Sequence, residues 1–406
     1  MRVLIFSTAY FPYVGGAEVA VKEITSRISE VSFDMITVRL DIKDVPQEKI
    51  GNVTVYRIGR GLGRFDKLLF PFRAARLAGR LHQKNHYDVA WSIMASFSGF
   101  AALFFKKKNR GVKFLLTLQE GDDLKQIERK VWPVKFWFKE IFCRADYIQC
   151  ISSYLAKWAR EMKATCPVEV VPNGVNKISD FRFQISDLRK QLGVIEDDKI
   201  ILTTSRLVKK NGIMDLIEAV ALLNTRYKIQ NTLVICGDGE EREKLEVRSK
   251  KLGIEKKVKF MGFVPPAELP KFYAAADVFC RPSLSEGLGN SFLEAMAYGV
   301  PVVATPSGGI PDFLKDNETG WFCQVNNPAS IAEKIKYILD DVETRHASSV
   351  LPVVTAAKQM VLEKYNWDKI SEQMKHSFNP ESNATTLARS AKSVTLDSYE
   401  KLYQIK

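Results

Sequence analysis

The sequence predicts an α/β protein made of two doubly wound, parallel-sheet domains that face each other across a cleft. Three observations carry that prediction. The chain has 406 residues, more than one ordinary hydrophobic core organises, so two domains are expected. Short apolar, strand-like runs alternate with helix-like segments along most of its length, which is the pattern of parallel sheets covered by helices. The alternation lapses in a polar stretch, 176–198, and then starts again. This places a first domain at residues 1–185, a second at 186–360, and closing helices at 361–406.

In the first domain the strand candidates are 2–7, 35–40, 53–58, 88–93, 113–118, 147–151 and 168–171. Helix candidates lie between them at 18–30, 66–81, 134–142 and 154–162. The weakly periodic segment 176–198 reads as a linker. Strands follow at 199–205, 232–236, 257–260, 278–281 and 301–304. Helices are expected at 212–223, after the turn GDGEE, and at 329–339. Near the end, 367–375 reads as a helix, 377–393 as a polar surface loop and 397–403 as a short closing helix.

The hydrophobic fraction is 46% and the charged fraction 26%, as in a soluble globular protein. The N-terminal run lacks the basic, apolar and small-residue order of a signal peptide. The longest apolar stretch, 99–105, is too short to cross a bilayer. The six cysteines (Cys143, Cys150, Cys166, Cys236, Cys280 and Cys323) include no CxxC pair. Their spacing argues against a zinc site and a disulfide framework. They read as small buried hydrophobes in a reducing compartment, and a cytoplasmic enzyme is expected.

Net charge is +13, and residues 51–145 hold 19 basic against 7 acidic side chains, nearly the whole excess. A localised basic surface suggests an anionic partner: phosphate, lipid headgroup or nucleic acid. No helix-turn-helix or RNA-binding signature is present, so nucleic acid is not expected. Within 65–81, Arg73, Arg76 and Arg80 share a helical face. Within 129–142, Trp132, Phe136, Trp137 and Phe138 sit among Arg129, Lys130, Lys135 and Lys139. Basic residues mixed with bulky aromatics suit an anionic membrane interface. The competing reading buries the aromatics in the core and leaves the basic residues as a solvated face.

Ligands of doubly wound domains bind outside the carboxyl ends of the strands, so the loops there are the candidate sites. FPYVGGAEVA (11–20) joins the first strand to the first helix. Gly15 and Gly16 let the backbone approach a ligand closely, and the helix N-terminus beyond them offers N–H groups to an anion. Alone, the pair is equally an ordinary turn. Arg206 ends the first strand of the second domain, with Lys209 and Lys210 just after it; such cations can neutralise a diphosphate. In SEGLGNSFLE (285–294), Gly287 and Gly289 let bare amides face a phosphate where a helix begins. Glu286 precedes that helix and Glu294 lies about one turn, 5.4 Å, inside it. The two carboxylates can therefore take hydroxyls at opposite ends of one extended ligand, a sugar ring and a ribose diol.

Together these elements resemble the retaining nucleotide-sugar glycosyltransferases of the GT-B fold, in the large family numbered four (glycosyl transferases group 1). Glu286 and Glu294 match its paired-glutamate motif, E-x7-E, and GLGNSFLEAMAYGVPVVATPSGGIPD (287–312) is similar to its signature almost throughout. FMGFV, with Phe263, looks like its base-contacting turn, and GDGEE, opening at Gly237, like its Gly-rich turn. YFPYVGGAE resembles its acceptor-side glycine loop. The resemblance covers about residues 1–375 and the final YEKLY.

The resemblance implies two Rossmann-like domains, with C-terminal helices crossing back to the first. It implies that Glu286 touches the transferred sugar and Glu294 the ribose. Amides around Gly289, Asn290, Ser291 and Phe292, with Arg206, would hold the diphosphate; Gly287 and Leu288 belong to the same donor-binding stretch, and Lys210 can stand in for the usual lysine. The donor would be a nucleotide sugar, UDP first and GDP second, with no metal and no other cofactor. The acceptor would be a glycan or a polyprenyl-linked sugar, in cell-surface polysaccharide or glycolipid synthesis at the inner face of the membrane. Two positions depart from the family pattern. Asn211 stands where a lysine is usual, with Lys210 beside it, and Gln119 stands where a histidine is frequent. Glutamine can hydrogen-bond a sugar hydroxyl but cannot accept its proton. Glu120, Asp122 and Asp123 lie nearby as candidate proton acceptors, the competing reading of each being a solvated loop acid. A nucleotide-sugar epimerase or hydrolase, and an inactive nucleotide-sugar-binding protein, remain open readings.

Overall fold

The computed structural model describes residues 1–176, 178, 182–194, 198–343 and 349–379. Two separate parallel sheets make up the chain, as the restarting alternation predicts. The first has the order β3-β4-β2-β1-β5-β6-β7-β8. Its strands are β1 (Arg2–Phe6), β2 (Ser32–Val38), β3 (Gln47–Ile50), β4 (Val53–Ile58), β5 (Val89–Ile93), β6 (Lys113–Leu118), β7 (Tyr147–Cys150) and β8 (Val168–Val170). All neighbours run parallel except β3, which pairs antiparallel with β4 at the edge. That edge strand escapes the sequence reading because QEKI is polar and only half-buried.

Helices α1 (Gly16–Arg27), α2 (Arg64–Asn85), α3 (Phe97–Lys108), α4 (Leu124–Lys130), α5 (Lys135–Arg144) and α6 (Ser153–Glu161) connect these strands. The apolar run 99–105 belongs to α3, which packs between α2 and α5. It is apolar because it is covered on several sides: Ala101, Ala102, Leu103 and Phe105 are all buried.

The second sheet has the order β11-β10-β9-β12-β13-β14. The chain reaches it through α7 (Arg182–Gln191), so the expectation of a plain linker at 176–198 is corrected. Leu188 and Leu192 are buried and α7 packs on α10; a single buried stripe leaves the rest of the segment polar. The order then runs β9 (Lys199–Thr204), α8 (Ile213–Thr225), β10 (Asn231–Cys236), α9 (Arg242–Lys251), β11 (Val258–Gly262), α10 (Leu269–Ala275), β12 (Val278–Arg281), α11 (Asn290–Ala297), β13 (Val302–Ala304), β14 (Trp321–Phe322) and α12 (Pro328–Glu343).

Residue 360, placed as a domain boundary, falls inside α13 (Val350–Lys364), which packs on α11 of the second domain. The chain crosses back just after it. Val175 N–H donates to the Tyr365 carbonyl at 2.8 Å. Then α14 (Trp367–Phe378) packs on α1. Asn366 caps it through the Asp368 N–H at 2.8 Å. Trp367, Ile370, Met374 and Phe378, on one helical face, are buried against the first sheet. Ser377, expected in a surface loop, lies in this helix and is buried. Phe378 closes the same helix and Asn379 follows it, while residues 380–393 and 397–403 lie outside the described residues.

Four of the six cysteines are buried, as expected, but Cys143 is exposed and Cys166 half-buried.

Candidate active site

The loop between β12 and α11 is built around a buried cation. Arg281 ends β12 with only 6% of its surface exposed, and a buried guanidinium requires partners. It has a full set. Nη2 donates to Glu286 Oε2, Nε to Ser283 Oγ at 3.1 Å, and Nη1 to Ser291 Oγ at 2.8 Å and to the Thr204 carbonyl at 3.3 Å. The guanidinium lies 4.3 Å over the Phe292 ring. One side chain thus fixes the glutamate before the helix, the first turn of α11 and the end of β9. The sequence reading did not single out Arg281. The available signal is an arginine closing a fully apolar strand, VFCR, at the cleft edge.

Glycines make this arrangement possible. Gly289 adopts φ +92°, and a Cβ there would collide with the Phe292 ring. Phe292 and Leu288 are buried beneath the loop. At Gly287 the two domains meet: a Cβ would collide with the Glu120 carbonyl oxygen. The Gly287 N–H donates to Glu286 Oε1 at 3.1 Å.

Glu294, on α11, accepts from the Tyr273 hydroxyl at 2.7 Å. Burial pushes its carboxyl above the usual range, with the Tyr273 hydrogen bond and the Arg281 charge offsetting part of that. Tyr273 in turn shares a hydrogen bond with Thr204 Oγ1 at 2.8 Å. The paired glutamates are therefore held by two different anchors, Arg281 and Tyr273.

The cations after β9 divide. Arg206 is exposed. It faces Glu18 and Asp122 of the first domain without an ion pair to either, and its side chain has no hydrogen bond or ion pair among the described residues. Asn211, at the position where a lysine is usual, is buried and donates to the Arg206 carbonyl at 2.7 Å. It steadies the loop from inside. Lys210 is the residue that crosses the cleft: its Nζ donates to the Gly121 carbonyl and pairs with Asp122 Oδ1 at 3.0 Å. Partial burial acts against Asp122, but the Lys210 charge outweighs it and holds the carboxyl below its usual range.

Two more loops complete the second-domain wall. Gly237 adopts φ +149° against the Ser205 carbonyl, and its N–H donates to the Gly262 carbonyl at 2.7 Å. Phe263, just beyond, is 63% exposed, leaving its ring available to stack.

On the first-domain side, Gln119 is buried and Asn173 Nδ2 donates to its Oε1 at 3.4 Å. The same Asn173 nitrogen lies 3.3 Å from Asn290 Oδ1 at the start of α11. Gly16 is close enough to Asn290 that a Cβ would stand 3.5 Å from its Nδ2. These contacts bring the glycine loop, Gln119 and the α11 N-terminus together. At the N-terminus of α1 the Glu18 carboxyl lies against the glycine loop: a Cβ on Gly15 would stand 2.8 Å from Glu18 Oε2. Burial raises the Glu18 carboxyl, against the lowering effect of the Gly15 and Glu18 N–H groups and of Arg206.

Glu120 is not a solvated loop acid: it is only 6% exposed. Its Oε1 accepts the Ala95 N–H at 2.6 Å, while Oε2 has no partner. Burial raises its carboxyl to about 7, against the lowering effect of neighbouring backbone N–H groups. Asp122 and Asp123 are exposed; Asp123 caps α4 by accepting the Gln126 N–H at 3.0 Å.

The basic, aromatic stretches split as well. Phe138 is buried among Phe100, Phe142 and Trp158. Trp132, Phe136 and Trp137 are exposed, as are Phe65, Leu68, Leu69 and Phe72 along α2. The outer face of α2 passes from these apolar residues to exposed Arg76 and Arg80, while Arg73 is tied to Asp66 at 2.8 Å. No helix among the described residues is long and apolar enough to cross a membrane.

Two Rossmann-like domains closing on paired glutamates and a helix N-terminus define the GT-B class. Residues 184–349 match the family model described as Glycosyl transferases group 1, and residues 14–177 that described as Glycosyltransferase Family 4. The chain belongs to this family. It is 37% identical over 211 residues to the uncharacterized glycosyltransferase MJ1607 of Methanocaldococcus jannaschii, covering 51% of this chain and 52% of that one. The chain spans about half the length of several curated relatives it matches. Among solved structures, sucrose-phosphate synthase from Thermosynechococcus elongatus superposes with a TM-score of 0.80 at 20% identity, over 95% of this chain and all of that one. Anabaena Alr3699/HepE, in complex with UDP and glucose, superposes with a TM-score of 0.76 at 19% identity, over 94% and 100%.

Proposed function

We propose that this protein is a retaining glycosyltransferase that moves a hexose from a nucleoside diphosphate sugar, UDP first and GDP second, to a glycan or lipid-linked acceptor. The observation that carries this reading is the loop held by Arg281, which presents Glu286 and the α11 N-terminus to the cleft with Glu294 anchored behind. Glu294 receives the ribose hydroxyls, and Phe263 stacks on the base. Arg206 and Lys210 take the diphosphate with the amides around Gly289. Charge grows on that diphosphate as the glycosidic bond breaks, so fixed donors there stabilise the transition state. Glu286 and Gln119 hold the sugar hydroxyls. The acceptor hydroxyl attacks from the face the leaving group departs, and its proton passes to the leaving phosphate oxygen, so no side-chain base is required. The UDP complex of Alr3699/HepE supports UDP as the first nucleotide to try.

The exposed apolar and basic surface supports an acceptor presented at an anionic membrane, with the enzyme peripheral on the cytoplasmic face. Each basic residue near such a surface contributes about 1 kcal/mol, and aromatic insertion adds binding that salt does not remove.

Three measurements test the reading. A panel of nucleotide sugars should raise the melting temperature, with one nucleotide clearly preferred: a ligand at 100 times its Kd adds about 2.7 kcal/mol. Nucleotide release should then require an acceptor, which separates transfer from hydrolysis, epimerisation and passive binding. Co-sedimentation should need anionic vesicles and weaken when Trp132 and Phe136 are both changed to Ala; equal binding to neutral vesicles points to a soluble acceptor.

A further inference from the structure

The two domains touch across the floor of the cleft, through a group that the donor needs. Lys210 of the second domain is held by the Gly121 carbonyl and by Asp122, both on the first-domain loop between β6 and α4. Ser285 Oγ reaches the same Gly121 carbonyl at 3.4 Å. A Cβ on Gly121 would stand 3.0 Å from Lys210 Nζ and 3.4 Å from Glu286 Oε1, so this glycine sits where both donor-facing groups converge. Arg206, four residues earlier in the chain, has no such partner among the described residues. Of the two cations placed for a diphosphate, one is unengaged and the other is occupied.

We propose that Asp122 is a positioning residue that competes with the donor diphosphate for Lys210, so that donor binding loosens the hold of the second domain on the loop carrying Gln119. This rests on the donor reading above. Arg206 meets the diphosphate first. A phosphate oxygen then takes the place of the Asp122 carboxylate on Lys210. The exchange is feasible because the Asp122 side chain is 62% exposed, and an exposed ion pair of this kind is weak. A diphosphate brings more charge and several acceptor oxygens to the same ammonium. Asp123 cannot replace Asp122, because it is engaged as the cap of α4. With Asp122 displaced, the loop keeps the Gly121 carbonyl contacts to Lys210 and Ser285 but loses its ion pair, and it can adjust around an acceptor, which couples acceptor binding to a seated donor.

The test combines hydrogen exchange with UDP titration on wild type, Asp122→Asn, Lys210→Ala and the double variant. In wild type, UDP should speed exchange of the Gln126 and Ile127 amides, which donate to Asp123 of this loop. Both single variants should show fast exchange there without nucleotide. Asp122→Asn should bind UDP about 2- to 5-fold tighter, the range for an exposed ion pair. That gain should vanish in the Lys210→Ala background, whereas a mere change of field would persist. Unchanged or weaker UDP binding by Asp122→Asn, or a gain that survives Lys210→Ala, overturns the competition while leaving the donor reading intact. A folded wild type that binds neither UDP nor GDP overturns the donor reading and the competition with it.

Discussion

The loops that face each other across the cleft differ in how fully their polar groups are engaged. On the second-domain side, Arg281 places all three guanidinium nitrogens on partners, and both glutamates are anchored. On the first-domain side, among the described residues, Glu120 is buried with one oxygen unpartnered and the Gln119 side chain has a single long hydrogen bond. The Arg281 part of the proposed donor wall is set before any ligand arrives; the proposed acceptor wall keeps unused hydrogen-bonding capacity. Fixed dipoles need no reorganisation as charge develops, which suits the side where the leaving group is held. A site that must meet a varied acceptor gains from groups that ligands can still engage.

The largest expected effect breaks the donor wall. Arg281→Ala removes one partner of a buried pair and strands Glu286, so stability should fall by about 3–5 kcal/mol in chemical denaturation. A loss below about 1 kcal/mol would mean that the loop does not depend on this hub.

The next tests the acceptor wall. The Glu120 carboxyl is raised to about 7 in the folded chain, above the ordinary value near 4.3 in the unfolded one. Between those values the folded state holds a proton that the unfolded state has lost. Its contribution is therefore fully present at low pH and is lost as pH rises toward 7, with a slope of on the order of 1.4 kcal/mol per unit. Glu120→Gln carries no titrating proton, so its stability relative to wild type should climb across that window. Parallel stability curves from pH 4.5 to 7 would show that Glu120 is solvated.

The same contrast explains what was legible in the sequence. Strands such as 88–93 and 113–118 are visible because a buried parallel strand is a short apolar run, and the donor loop because its glycines and glutamates have fixed spacing. Strand β3 is hidden by its polar edge position, and α7 because few of its residues are apolar: among those described, Leu188 is buried and Ile185 packs against the core. Arg281 is hidden because a terminal arginine marks a strand end whether it turns inward or outward. Glu120 is hidden because QEGDD has the composition of a solvated loop; its burial comes from the β5–α3 turn, whose Ala95 N–H it accepts, and from Gly287 of the other domain. Partners distant in sequence leave no local trace.

The central claim is that Glu294 and its loop receive the nucleotide. Calorimetric titration of UDP into wild type and Glu294→Ala tests it most directly. Loss of hydrogen bonds to a charged group should weaken binding by about 1.5–3 kcal/mol, with the variant still folded. Equal UDP affinity in the two proteins would contradict the assignment.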